Sequence, residues 1–536
     1  MPAVPATFQR AWRPVERFVQ GRWGVPAVFA AALGIYGAVS YALPLAAGRD
    51  LARYLLVYAQ LFDADVVYPY ALATRTPATP LLAGGLLEAG SVVAEVGAAL
   101  LYAISIVAWF LVARRFGAAA ALATAVALLL YPGYALLFHE LSSDAVFAAA
   151  FALFALLAVR LVEAPTAGRA AALGAGVAGL VLVRPVNQVL LLIVVLPVLA
   201  APTWKLRLRT SAAFVLAAVI PLLAWAGHNA LRVEDFTVAR GGGATVPLFR
   251  AFARDKIVEP ENGEATQELA RIVQRDLLPY EPYRSYGIDL ERFFSSGSAR
   301  MHEDLTVLSD RTWGWDDDYG HLARVGREAV RAHPGTFARG VARDFKNLLV
   351  WPLYAENEER AESASAPPPR TLASTLQLPV PSEGEPIPSA RQSPVISTPD
   401  GRIREVWSSP TAHRFVFSDP GDEARAAELD VRVNELLANL PDRKTHPETV
   451  DRLNSASRWY PRPVLWLLVG LAAALVRRPR WLLAPLALAG AGLLVLAATA
   501  VAVYAIAQYS VPVTPAFILL AAAGVLGRPP AIPSQS

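Results

Sequence analysis

The chain of 536 residues contains no cysteine. That excludes disulfides and every cysteine–histidine metal site. It has only 7 histidines, and no two stand at the HxxxH or HExxH spacing of a metal pair. Charge is also scarce: Asp, Glu, Lys and Arg make up 18% of the residues, against roughly a quarter in an ordinary soluble domain. No nucleic acid partner is expected.

What is present is hydrophobic. Alanine, valine, leucine and the other apolar types reach 54% and mean hydropathy is +0.37. The apolar runs fill the first 230 or so residues and the last 75 or so, while the middle is polar and rich in proline. A bilayer crossing needs about 20 apolar residues. The runs Val25–Ala47, Val92–Val112, Ala119–Phe138, Ala145–Val162, Ala171–Val183, Val186–Ala201, Ser211–Gly227, Pro463–Val476, Trp481–Val503 and Val511–Leu526 read as about ten spans. The two short ones around Arg184-Pro185 are either a pair of half-depth helices or one long kinked crossing. The first run follows an arginine-bearing stretch (Arg10, Arg13, Arg17, Arg22) and lacks a small-x-small cleavage site, so it reads as a retained span.

Lys and Arg collect in cytoplasmic loops. With ten spans and a cytoplasmic N-terminus, Arg114-Arg115, Arg169, the Lys205/Arg207/Arg209 group, the Arg477/Arg478/Arg480 group and Arg528 all fall on one side. Both termini are then cytoplasmic in a multi-pass plasma or inner membrane protein. The chain divides into an N-terminal membrane module (1–227) with a first outer loop (48–91), an outer domain (228–462), and a C-terminal membrane module (463–536). The expected fold is all-α and polytopic, with a mainly helical or α+β extracytoplasmic domain inserted before the last three spans. Within that domain, 361–401 reads as a Pro/Ser-rich flexible segment. Tyr319–Leu349 and Ala424–Leu440 read as amphipathic helices.

Most residues able to do chemistry stand at the outward mouths of these spans. Asp50 falls where the first span ends; an acid there is costly unless paired or used. Asp50 and Arg53 would share a helix face, so an interfacial ion pair is one reading and a reactive carboxylate the other. Asp63 and Asp65 form a D-x-D pair, which supplies oxygen ligands for a divalent ion but falls short of a cage; a solvated loop explains them as well. His139, Glu140 and Asp144 surround the start of the fourth span, with Ser142 or Ser143 as its cap. Arg184 requires an anion, either a neighbouring acid or a lipid phosphate. His228-Asn229 closes the seventh span, and Gly241–Gly243 permits close backbone approach to a ligand. Gln508-Tyr509 precedes two prolines at the mouth of the last span.

In order and placement these pieces resemble the GT-C superfamily of integral-membrane glycosyltransferases, most closely the protein O-mannosyltransferase and aminoarabinose-transferase branch. Asp50-Leu51-Ala52-Arg53-Tyr54 is similar to that family's D-E-x-R-Y, with Leu51 in place of the second acid. Asp144 matches an acid at the start of the fourth span, Leu182–Pro185 an L-x-[RK]-P turn, and Gln508–Pro515 an R-Y-x-x-P-x-x-P run with Gln508 in place of Arg. The resemblance implies an inverting transfer of a hexosyl or pentosyl group from a polyprenyl-phosphate donor on the extracytoplasmic face. Asp50 would be the general base and Arg184, Arg53 and Arg75 the phosphate ligands. Tyr54, Asp144, Glu140, His139, His228, Asn229, Gln508 and Tyr509 would line or support the substrate. No metal is required. The acceptor would be a protein, a lipid or a cell-envelope glycan. The alternative is a transporter or scramblase of lipid-linked sugars, to which the broken helix at Arg184-Pro185 is suited.

Overall fold

The computed structural model describes residues 6–63, 66–241, 245–280, 283–355, 402–409, 412–441, 446–477 and 480–528. The proline- and serine-rich segment 361–401, Asp65 and Gly242–Gly243 lie outside the described residues. Six helices among those described are long and apolar enough to cross a bilayer, and the shorter apolar helices Ala118–Leu129, Ala167–Val183, Pro185–Ala200 and Thr514–Leu526 fall on the remaining expected runs. The chain folds as a helical, polytopic membrane protein.

The short pair around Arg184 runs as two passes of the helical bundle, out along Ala167–Val183 and back along Pro185–Ala200, rather than as one kinked span. Ala167–Val183 has 17 residues and so runs about 26 Å. At its start, Arg169 Nη1 donates to Arg160 O (2.7 Å), at the far end of helix Ser143–Glu163. At its finish, Arg184 pairs with Asp144, in the first turn of that same helix. The two helices are therefore antiparallel over their whole length. The chain returns as a 3-10 helix, Pro185–Val194, and a turn of α-helix, Val195–Ala200. Thr203 then caps the 30-residue helix Trp204–Val233 by accepting from Leu206 N. That helix runs back towards the end holding Arg184, where Arg240 N donates to Ala73 O of the first outer loop (2.8 Å).

The basic loops gather at the opposite end. Gln20 and Arg114 exchange hydrogen bonds, Arg528 N donates to Phe116 O (2.9 Å), Arg115 pairs with Glu163 (3.5 Å), and Arg477 reaches Gly527 O (3.3 Å).

Between the seventh and eighth spans the chain builds a second apolar core from Leu248, Phe252, Leu269, Val273, Phe293, Leu305 and Leu322, separate from that of the spans. Helix Pro420–Ala438 instead presents Leu429, Val433 and Leu436 to the core shared with the spans, after an antiparallel hairpin that pairs Ile403 with Phe417. The expected helix Tyr319–Leu349 is two helices, Gly320–Ala332 and Pro334–Val350. Pro334 has no N–H to continue the first and suits the opening turn of the second.

Two buried arginines hold this region together. Arg240 donates to Asp235 and Asp310 (2.8 Å each) and lies 3.5 Å from the Trp315 ring centroid. Arg250 binds Asp255 (2.8 Å) and Asp344 (2.9 Å) and also donates to Ala500 O at the end of helix Leu483–Ala502. This second core is thereby fastened to the C-terminal helices. Gly241, with φ 71°, serves this framework: its N–H donates to Asp318 Oδ1 (3.4 Å).

Candidate active site

Two chain segments from different spans meet first. After helix Gly24–Ala42, residues Ala46–Ala47 pair in parallel with Glu140–Leu141, and Ala46 N donates to His139 O (2.9 Å). Gly48 permits the approach: a Cβ there would stand 2.5 Å from Ser142 Cβ and 2.8 Å from Leu141 O. The chain then turns through Asp50 in the left-handed region (φ 66°, ψ 8°) and enters helix Leu51–Gln60. A non-glycine residue held there costs on the order of 1–2 kcal/mol, and such strain collects at functional sites.

This turn directs Asp50 into a cavity of about 190 Å³ at the mouth of the spans. Its walls carry Arg49, Tyr54, Arg75, Asp144, Arg184 and Tyr509, with Val183, Pro185, Val186, Ala502 and Val503 forming an apolar flank. Asp50 Oδ2 lies 3.6 Å from Arg75 Nη2. Arg184 is bonded to Asp144, which is buried in the first turn of its helix, where the macrodipole favours an acid. Ser142 is that helix's cap, accepting from Ala145 N (3.4 Å). Arg49 Nη2 donates to Tyr509 OH (2.6 Å), and the Tyr509 ring lies 5.2 Å from the Arg49 guanidinium and 4.9 Å from that of Arg184. Three guanidinium groups against two carboxylates leave the cavity with one net positive charge. Burial works against the charge on Arg75, but the fields of Tyr54, Asp50, Tyr70 and Glu303 outweigh it and hold the proton more tightly than in water.

The structure thus brings together Asp50, Tyr54, Arg75, Asp144, Arg184 and Tyr509. The ion pair between Asp50 and Arg53 does not form. Asp50 stands ahead of the helix in a left-handed turn and so shares no helical face with Arg53, which pairs instead with Glu303 of helix Ala299–Trp313 (3.4 Å). Of the two anions weighed for Arg184, the neighbouring acid is present as Asp144. Glu140 and Gln508 hydrogen-bond to each other without lining the cavity.

His139, His228 and Asn229 are elsewhere. The His139 ring stacks on Tyr36 (4.2 Å) and its Nδ1–H donates to Ala135 O (2.8 Å). His228 stacks on Trp225 (4.9 Å), and Asn229 Nδ2 donates to Thr237 O (2.8 Å), closing the end of its span. Asp63 is exposed. Among the described residues, no three His, Asp or Glu side chains gather as metal ligands. Arg49 is the addition: a guanidinium next to Asp50 is visible in the sequence, but nothing there tells which way it faces.

Fold and cavity define a multi-pass helical membrane protein with a charged pocket where its spans end. No family model matches the chain, and no curated protein matches it. Among solved structures it is similar to ArnT from Cupriavidus metallidurans bound to undecaprenyl phosphate and to ArnT from the same organism in the apo state. Each likeness has 16% identity and a TM-score of 0.33, covering 94% of this chain and 78% or 77% of that chain.

Proposed function

We propose that this protein is an inverting, GT-C-type glycosyltransferase that moves a sugar from a polyprenyl-phosphate donor to an acceptor outside the cytoplasm, with Asp50 as the general base. The observation that carries the reading is that Asp50 shares one cavity with Arg49, Arg75 and Arg184. A carboxylate beside converging guanidinium groups suits removal of a proton from a hydroxyl while a phosphate departs.

Asp50 takes the acceptor's hydroxyl proton. The acceptor oxygen bonds to the anomeric carbon, the anomeric C–O bond to phosphate breaks, and its electron pair leaves with the polyprenyl phosphate. The donor is a phosphodiester with one negative charge and the leaving group is more negative, so the cavity's cations stabilise the product side most. They supply the kind of positive charge a divalent ion would otherwise supply, so the reading requires no metal. The apolar flank of Val183, Val186 and Val503 receives the start of the prenyl chain. The basic loops at the opposite end support cytoplasmic termini and a site on the outer face. The acceptor is a protein, a lipid or an envelope glycan.

The test is incubation of the purified protein in liposomes with undecaprenyl-phosphate sugars and a crude envelope acceptor. Release of undecaprenyl phosphate is expected. Passage of intact lipid-linked sugar across the bilayer with no release would overturn the reading in favour of transport.

A further inference from the structure

A second cavity of about 200 Å³ adjoins the first, and Arg75 lines both. Its walls come from the first outer loop (Arg53, Tyr70, Thr74) and from the outer domain (Phe249, His302, Glu303). None of the outer-domain residues belongs to a motif, and the transfer chemistry does not use them.

His302 is the informative residue. It is only 8% exposed, and its Nε2 has no hydrogen-bond partner among the described residues. Burial pushes the imidazole down to about 4, so it is neutral near pH 7, able to donate from one nitrogen and accept at the other. Its ring is edge-on to Phe249 (5.1 Å). A buried nitrogen left unpaired is unfavourable unless a ligand completes it. Across the chamber, Arg53 donates to Glu303 (3.4 Å), so a guanidinium and a carboxylate face the same space.

This lining selects its ligand class. Glu303 opposes a second phosphate, while Arg53 and Arg75 oppose a cation. A purely apolar ligand would leave the buried His302 Nε2 without a partner and would meet the charged Arg53–Glu303 pair with no polar group. A neutral group with several hydroxyls fits: it accepts from Arg53 and Arg75, donates to Glu303 and to the imidazole, and lays a C–H face on Phe249. We infer that the chamber is a monosaccharide subsite in which His302 and Glu303 bind sugar hydroxyls, next to the phosphate-binding cavity. The inference rests on the transferase reading and adds to it where the sugar sits. The sugar is either the donor's transferable residue or part of a glycan acceptor.

The test uses the full chain in nanodiscs and three probes: undecaprenyl phosphate alone, undecaprenyl phosphate linked to mannose, glucose, galactose or arabinose, and the methyl glycosides of these sugars. If the subsite takes the donor sugar, one lipid-linked sugar binds more tightly than undecaprenyl phosphate, and His302→Phe removes about threefold to tenfold of that preference. If it takes the acceptor, a methyl glycoside binds and His302→Phe weakens it by the same factor. In both cases the affinity for undecaprenyl phosphate alone is unchanged, and His302→Gln, which keeps a polar atom near Nε2, restores part of the loss. Glu303→Gln serves as a second variant should the buried Phe not fit, with the same outcome expected. Sugar binding that both variants leave intact, or loss of undecaprenyl phosphate affinity in step with it, overturns the subsite. Failure of the unaltered protein to bind undecaprenyl phosphate at all overturns the transferase reading instead, and the methyl glycosides still decide the subsite.

Discussion

Asp50 and Arg75, 25 positions apart, face each other at 3.6 Å across the mouth of the cavity, and Arg75 also reaches into the chamber beyond. One guanidinium is thus shared between the carboxylate proposed as base and the place proposed for the sugar. The reach of that carboxylate depends on a backbone turn that most residues resist.

Substitution of Asp50 separates chemistry from strain. Asparagine tolerates the left-handed region better than other non-glycine residues. Asp50→Asn is therefore expected to keep the protein's melting temperature while lowering sugar transfer by about 10²-fold or more. Asp50→Ala loses the same activity and is also less stable, by about 1 kcal/mol, because alanine lacks asparagine's local hydrogen bonding at φ 66°. Full turnover by Asp50→Asn with a defined lipid-linked donor would remove Asp50 as the base.

Gly48→Ala tests the bridge between the first and fourth spans. The added methyl would meet Ser142 Cβ and Leu141 O inside van der Waals distance. The two segments must part, and Asp50, two residues on, moves with them. Activity is expected to fall about 10-fold or more with every polar side chain of the cavity retained. Wild-type kinetics in this variant would mean that the bridge does not position the base.

Arg184 and Asp144 are expected to be strongly coupled. Arg184→Gln alone leaves Asp144 buried without its cation, at a cost of about 3–5 kcal/mol. The double variant Arg184→Gln with Asp144→Asn leaves two neutral amides and is expected to be more stable than Arg184→Gln. A double-mutant cycle on thermal unfolding in detergent reads this directly; additive losses would contradict it.

Acid stability reports on His302. Its imidazole is held at about 4 when folded, against about 6.5 when unfolded. The unfolded chain therefore binds the extra proton first as pH drops. The contribution is complete above pH 6.5 and is lost progressively down to about pH 4, up to about 3 kcal/mol over that window. His302→Phe has no proton to bind, so its stability between pH 6.5 and 4 should decline less steeply. An unchanged slope in the variant would assign the acid sensitivity to other groups.

Chelation tests the role given to the arginines. Excess EDTA is expected to leave the rate of undecaprenyl phosphate release unchanged, since Arg49, Arg75 and Arg184 supply the positive charge facing the departing phosphate. Restoration of a lost rate by added Mg²⁺ or Mn²⁺ would refute it.

The sequence reveals the spans because each is an uninterrupted apolar run, and hydropathy requires no knowledge of neighbours. It also singles out Asp50, Asp144 and Arg184, since ionisable residues at the ends of such runs stand out against their surroundings. It singles out His228 and Asn229 for the same reason, since polar residues ending a span look functional; in the structure neither lines the cavity, and Asn229 donates to the Thr237 carbonyl. The left-handed turn at Asp50 is not visible locally, and without it Arg53 appears to be the natural partner. His302 and Glu303 carry no pattern at all. They reach the cavity through the packing of an outer domain some 250 residues away in the chain, and only tertiary contacts record that.

Asp50 and Tyr509 come from opposite ends of the chain, and the cavity needs both. While the protein is being synthesised, the first seven spans and the outer domain precede the helices that carry Thr499, Val503 and Tyr509. A chain halted before those helices has two carboxylates and three arginines at the end of its spans, without the wall that Thr499, Val503 and Tyr509 supply. On this geometry the pocket comes into being only when the ribosome has delivered the final helices, so truncated products would lack the enclosed charged site.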